Sequence, residues 1–221
     1  MFSPQTLGFT GNYPYVPFGM NAFAALCPVK GRPREFDVDV ALAAALRIFW
    51  QHGYEGASMA ALTEAMGITK PSLYAAFGNK EALFNKALDL YEREKLAYMR
   101  TALDAPTSRG VAETLLRGAL ALQSGCDPKG CMAMNSVTCG PEAESIRTEV
   151  LKRRASSADA VIERFARARD EGDLPEGIEP VGLARHLFAI LQGLALQAQA
   201  GATPEELRGL VETSLQLWPG K

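Results

Sequence analysis

The sequence predicts an all-α fold, and three observations carry that expectation. Apolar residues recur at i, i+3, i+4 and i+7 in segment after segment, the period of an amphipathic helix. No stretch of useful length alternates apolar and polar residues with a period of two, and no internal repeat is present. Pro106, Pro128, Pro141 and Pro175 fall between the periodic segments, where helix breakers belong.

The first 29 residues carry no charged side chain and are interrupted by Pro4, Gly8, Gly11, Pro14, Pro17 and Gly19. That pattern fits neither a signal peptide, which needs a basic start and an unbroken apolar run, nor a membrane span. Residues 1–30 are expected to be a disordered leader, and a start at Met20 would lose nothing that reads as folded. Folded sequence is expected from "GRPREFD" onward.

In the first helix Asp37 or Asp39 can cap the N-terminus, and Leu42, Ala45, Leu46, Phe49 and Trp50 share one face. Gly53 is a natural end for it. Ser58 caps a second, short helix with Leu62, Ala65 and Met66 inward and Gly67 closing it. Thr69 then caps a third helix over about 70–77, with Pro71 in the first turn, where a missing N–H costs nothing. Leu73 and Phe77 anchor this helix on one side while Ser72, Tyr74 and Ala75 point elsewhere. Gly78 ends it and Asn79 caps the next. Two short helices joined by a glycine-containing turn, braced by longer helices, make a helix-turn-helix unit.

The remainder reads as helix over about 80–103, 110–124, 142–171, 180–200 and 204–218, with Thr203 and Pro204 starting the last. The expected division is a helix-turn-helix DNA-binding domain over 31–80 and a second helical domain over 81–221.

Composition narrows the function. An apolar fraction of 48% and a charged fraction of 22% describe a globular chain, and a net charge of −2 gives no global attraction to nucleic acid. Any DNA-binding surface must be a local basic patch. Four cysteines in 221 residues suggest no disulfide framework, so the chain is read as cytoplasmic, with no membrane association. His52 and His186 stand at no metal-ligand spacing, and no GxSxG, P-loop or HExxH motif is present. No enzyme activity and no cofactor are expected. A helical enzyme or a protein-binding adaptor is the competing class, but neither accounts for residues 41–88.

Those residues, "ALAAALRIFWQHGYEGASMAALTEAMGITKPSLYAAFGNKEALFNKAL", resemble the TetR/AcrR family of bacterial transcriptional repressors. They carry an FxxxGY-like end to the first helix, a Ser-capped second helix, the GI(S/T)xxxLYxxF recognition helix and the (N/S)KE(A/E)LF start to the fourth. "GRPREFD" and "GCDPKGCMAMNSVTCGPE" further resemble the ComR-type, copper-responsive branch. Ala76 departs from the family pattern, which often has histidine there, so no phosphate contact is expected from that side chain.

A recognition helix presents its N-terminal half to base edges. Thr69, Lys70, Ser72 and Ala75 are the base-proximal candidates. The resemblance implies phosphate contacts from Tyr74 and Lys80, and the caps at Ser58 and Thr69 offer backbone N–H groups to phosphate. Lys30, Arg32 and Arg34 form a basic arm suited to the backbone or the minor groove. The implied partners are a palindromic double-stranded operator, a second copy of the chain, and an unidentified small-molecule or ion effector. The two closing helices are apolar over a wide face, and the resemblance implies a dimer interface containing Leu187, Leu191, Leu194, Leu207 and Leu215. Cys126, Cys131 and Cys139 crowd together with Met132 and Met134. Three readings stay open for them: packing, an oxidant or thiol-reactive switch, and soft-ligand binding of copper(I).

Overall fold

The computed structural model describes residues 36–137, 140 and 143–220. The expected leader and the basic arm with Lys30, Arg32 and Arg34 lie outside these residues, as does Cys139. Ten helices, and no strand, occur among the described residues: α1 (Val38–Gly56), α2 (Met59–Met66), α3 (Lys70–Phe77), α4 (Lys80–Glu94), α5 (Ala97–Leu103), α6 (Ser108–Ser124), α7 (Met132–Val137), α8 (Glu144–Asp170), α9 (Pro180–Gln199) and α10 (Pro204–Gln216).

The helix starts follow the capping chemistry of the sequence. Side-chain oxygens of Asp37, Ser58, Thr69, Asn79, Thr107 and Thr203 each accept a backbone N–H in the first turn of the helix that follows. Thr203 and Glu206 form a reciprocal capping box. Gly53 is where α1 stops being regular: its φ of 69° and ψ of −179° break the helix, and the chain resumes a last turn to Gly56.

One expected segment divides in two. The helix expected over 80–103 breaks after Glu94, although no glycine or proline stands there. Lys95 and Leu96 both donate their N–H to the Tyr91 carbonyl, at 2.8 and 3.2 Å, and Lys95 Nζ is held 2.7 Å from Asp127. Tertiary contacts override helix propensity at this point.

Two apolar cores result. The first gathers Phe49 and Trp50 of α1, Leu62 of α2, Leu73 of α3, Phe84 and Tyr91 of α4, and adds Met132 of α7 with Ile146 and Val150 from the start of α8. The second gathers Leu115 and Leu116 of α6, Phe165 of α8, Leu187 and Leu194 of α9, Leu207, Val211 and Leu215 of α10, and Trp218. Helix α8 reaches both.

The residues expected at the dimer interface lie on the sides of α9 and α10 that pack within the single chain. Leu187, Leu194, Leu207 and Leu215 are buried within the single chain, and Leu191 is partly buried against the same core. The wide apolar face of α9 and α10 is consumed by α6 and α8 of their own subunit. What remains outward on α9 is Val181 and Leu196, with Leu217 just past α10. Helix α9 is long and apolar enough, by length and composition, to cross a membrane, and 33% of that stretch is buried inside the chain.

Candidate nucleic-acid interface and effector cavity

The interface is built around a short helix held from behind. Leu73 and Phe77 sink one side of α3 into the first core, as do Leu62 and Met66 of α2. Between the two helices Gly67 adopts a left-handed conformation, and its N–H reaches Glu64 while that of Ile68 reaches Thr63, both at 3.1 Å. Beneath them Phe49, Tyr54 and Phe84 form an aromatic cluster, with Phe49 and Phe84 meeting edge-on at 5.1 Å. The opposite side of α3 is open: Lys70, Pro71, Tyr74 and Ala75 are exposed, Tyr74 at 47%.

The expected contact residues therefore fall in one region but not in equal roles. The Thr69 hydroxyl accepts from Ser72 N at 3.3 Å and pairs with the Ser72 hydroxyl at 2.9 Å, so both side chains belong to the cap of α3. The Ser58 hydroxyl accepts from Ala61 N at 3.0 Å at the start of α2. The Lys80 ammonium lies over the Tyr54 ring, 4.6 Å from its centre, a cation–π contact that holds the cation beside the recognition helix. Pro71, which sequence reasoning treated as a helix starter alone, is also part of the exposed face.

A cavity of about 600 Å³ opens among α4, α5, α6, α7, α8 and α9. Of the expected sulfur residues, Cys131 and Met134 line it, Met132 is buried in the first core, and Cys126 is exposed and does not line it. Tyr91 donates its hydroxyl hydrogen to Cys131 Sγ at 3.8 Å. Burial first, then the neighbouring Cys131, pushes the Tyr91 phenol well above its ordinary value. Burial also raises Tyr98, which packs where Gly118 of α6 leaves no room for a Cβ. Among the described residues no group of three or more His, Cys, Asp or Glu side chains is placed to hold a metal ion.

Cavity and interface are tied through the segment between α6 and α8, a connection the sequence reading missed. Trp50 of α1 donates its indole N–H to the Gly130 carbonyl at 3.2 Å. Gln123 grips the same residue in both directions, at 3.1 Å to its carbonyl and 2.8 Å from its N–H. Asn135 of α7 donates to the Trp50 carbonyl at 2.9 Å. Asp127 bridges Arg47 of α1, at 3.0 Å, and Lys95, at 2.7 Å. The sequence signal was Trp50 on the apolar face of the first helix, a buried indole N–H in need of an acceptor, and it does not name its partner.

The fold and the exposed α3 define a helix-turn-helix DNA-binding protein with an appended helical cavity domain. A sequence model of the bacterial regulatory proteins of the tetR family matches residues 41–87. The HTH-type transcriptional repressor ComR of Escherichia coli (strain K12) is 36% identical over 195 residues, covering 86% of this chain and 92% of its own. A solved structure of the TetR family transcriptional regulator CifR, a cysteine mutant complexed with a 26-base-pair double-strand operator DNA, is 42% identical with a TM-score of 0.79, covering 85% of this chain and all of its own. A TetR regulator from Rhodococcus sp. RHA1 is 37% identical with a TM-score of 0.59, covering 82% and 99% of the two chains. The chain belongs to the TetR family, and is a DNA-binding transcriptional regulator rather than an enzyme.

Proposed function

We propose that the chain is a cytoplasmic homodimeric repressor that binds a palindromic operator through α2 and α3 and leaves it when a small molecule occupies the cavity. The DNA-reading part spans α1 to α3, and the helices after it form the effector and dimerisation part. The observation that carries this reading is the hydrogen-bonded tie between α1, which braces the recognition helix, and the α6–α7 segment, which walls the cavity. The names of ComR as a repressor and of CifR as an operator complex support it. Lys70 and Ala75 face base edges, Tyr74 and Lys80 contact phosphates, and the N-termini of α2 and α3 present backbone N–H groups to the same strand. Arg32 and Arg34 add an arm for the neighbouring backbone or minor groove. Two copies meet through the outward faces of α9 and α10 around Val181 and Leu196.

The effector is a ligand of the cavity. Cys131 stands in its wall with a phenol hydroxyl beside it, which favours an oxidant or thiol-reactive agent as a second reading over metal capture.

A gel-shift titration on the DNA flanking the gene tests the assignment. Tyr74→Ala and Lys80→Ala are expected to weaken binding to all sequences alike, with the lysine change lowering the salt slope by about one. Lys70→Ala is expected to alter preference among sites. Equal affinity for wild type and all three variants would falsify the interface.

A further inference from the structure

The cavity wall is chemically uneven. Leu88, Leu96, Met99, Leu122, Phe188 and Leu191 make most of it apolar, so the body of any occupant must be apolar too. The wall carries three arginines, Arg153 and Arg154 of α8 and Arg185 of α9; Arg185 is exposed to solvent, while the two consecutive arginines of α8 stand in opposite states. Arg153 is saturated: its guanidinium meets Asp89 at 2.6 Å, Glu149 at 2.7 Å and Glu92 at 3.0 Å. Arg154 meets no carboxylate among the described residues, and its polar contact is a donation to the thioether sulfur of Met134. A thioether is a weak acceptor, whereas a guanidinium carries five N–H donors in a planar fork. The acidic residues of the wall do not answer it. Glu92 is taken by Arg153, and Asp159 is exposed and unpaired with Arg154. A half-buried cation faces an apolar chamber with its donors unmatched.

We propose that the cavity takes an amphipathic monoanion, an apolar body of drug-like size ending in a carboxylate, and that Arg154 binds the carboxylate. The inference rests on the cavity being the effector site. A carboxylate matches the guanidinium fork in a two-point, charge-assisted arrangement. An alcohol with the same body offers a single neutral acceptor and leaves most of the donors unmatched. A carboxylate without a body forgoes the apolar burial that drives entry. Binding also reaches the DNA end. Arg154 holds Met134 of α7, and the next residue, Asn135, is bonded to Trp50 of α1. A carboxylate on the Arg154 fork is thus seated one residue away from the bond between α7 and α1.

Decanoate, decanol and acetate separate the contributions of body and head. Binding to the free full-length chain is read by thermal shift and tryptophan fluorescence, and operator release by gel shift. Decanoate is expected to bind about tenfold or more tighter than decanol, the effect of one charge-assisted hydrogen bond, and to release the operator. Acetate is expected to do neither. Arg154→Ala is expected to bring decanoate down to the level of decanol, and Arg154→Lys to keep part of the preference. Arg154→Gln, which keeps the side chain's stem and two donors but no charge, serves if the alanine variant does not fold. Decanol binding as tightly as decanoate, a decanoate preference that survives loss of the arginine charge, or failure of both probes to bind overturns the proposal. Operator binding without decanoate binding sinks this inference alone. Decanoate binding by a chain that ignores the operator sinks the DNA-binding reading alone.

Discussion

Replacing each tryptophan by phenylalanine should have unequal consequences, because the two buried indoles differ in one hydrogen bond. Trp50 is fully buried, meets the Tyr91 ring edge-on at 4.7 Å, and donates to the Gly130 carbonyl at 3.2 Å. In Trp50→Phe that carbonyl keeps the Gln123 donor at 3.1 Å, so no acceptor is orphaned. The loss is then one buried hydrogen bond, about 1 kcal/mol, plus about 1–2 kcal/mol for the apolar volume removed from a closed core. The sum is about 2–3 kcal/mol. Trp218 is also buried, but its indole N–H has no partner among the described residues. Trp218→Phe loses volume while removing an unsatisfied donor, and the two effects offset to about 0–1 kcal/mol. Equilibrium urea unfolding followed by far-ultraviolet circular dichroism measures both, since each variant deletes one of the two tryptophan fluorophores. Protein concentration must be held fixed, because association shifts apparent stability. The midpoint should move with the slope unchanged. A Trp218→Phe loss equal to that of Trp50→Phe, or a Trp50→Phe loss below about 1 kcal/mol, would refute the reasoning.

Gly53→Ala should cost about 2 kcal/mol in the same assay, because its backbone lies in a region nearly reserved for glycine and a Cβ would sit 3.0 Å from the Asn135 carbonyl oxygen. A loss within about 0.5 kcal/mol would remove the strain argument. Alkali should destabilise the fold: burial raises Tyr91 and Tyr98, so the unfolded chain ionises near 10.0 while the folded one keeps its protons. Stability is full below that value and falls as pH rises beyond it; Tyr91→Phe should flatten the fall, and a urea midpoint independent of pH from about 9 to 11 counts against it. Leu196→Arg, at a site 66% exposed, should yield a folded monomer in sedimentation velocity, whereas Leu215→Arg should unfold the chain from within; a Leu196→Arg dimer as tight as wild type excludes that face.

What was legible in the sequence was what local chemistry decides. The recognition helix is written in Thr69, Pro71 and Gly78, each acting within a few residues, and the structure places α3 at Lys70–Phe77 with the Thr69 cap in position. The break at Lys95 was not legible, because it depends on Asp127, 32 residues away. The burial of Leu187, Leu194, Leu207 and Leu215 within one chain was not legible for a related reason. Periodicity tells which side of a helix is apolar but not how many neighbours share it, and α9 is covered by α6, α8 and α10 of its own chain. Cys126 and Cys131 look equivalent in sequence, yet one is exposed and the other walls a cavity.

The connection between cavity and recognition helix follows from how the first core is assembled. Helices α1, α2 and α3 do not enclose Phe49 and Trp50 by themselves, and the remaining cover comes from α4, α7 and the start of α8. The DNA-reading unit is thus completed by residues that also line the cavity: Leu88 and Tyr91 of α4 and Val150 of α8 belong to both the first core and the cavity wall. Close-packed interiors do not absorb an added group by local compression. A ligand that shifts α7 and the Gly130 segment before it must therefore either break the Asn135–Trp50 and Trp50–Gly130 bonds or carry α1 with it. Allosteric coupling free energies are typically about 1–3 kcal/mol, and one buried and one part-buried hydrogen bond at about 1 kcal/mol each are of that size. A tie of that size lies within what the binding energy of one ligand can overcome.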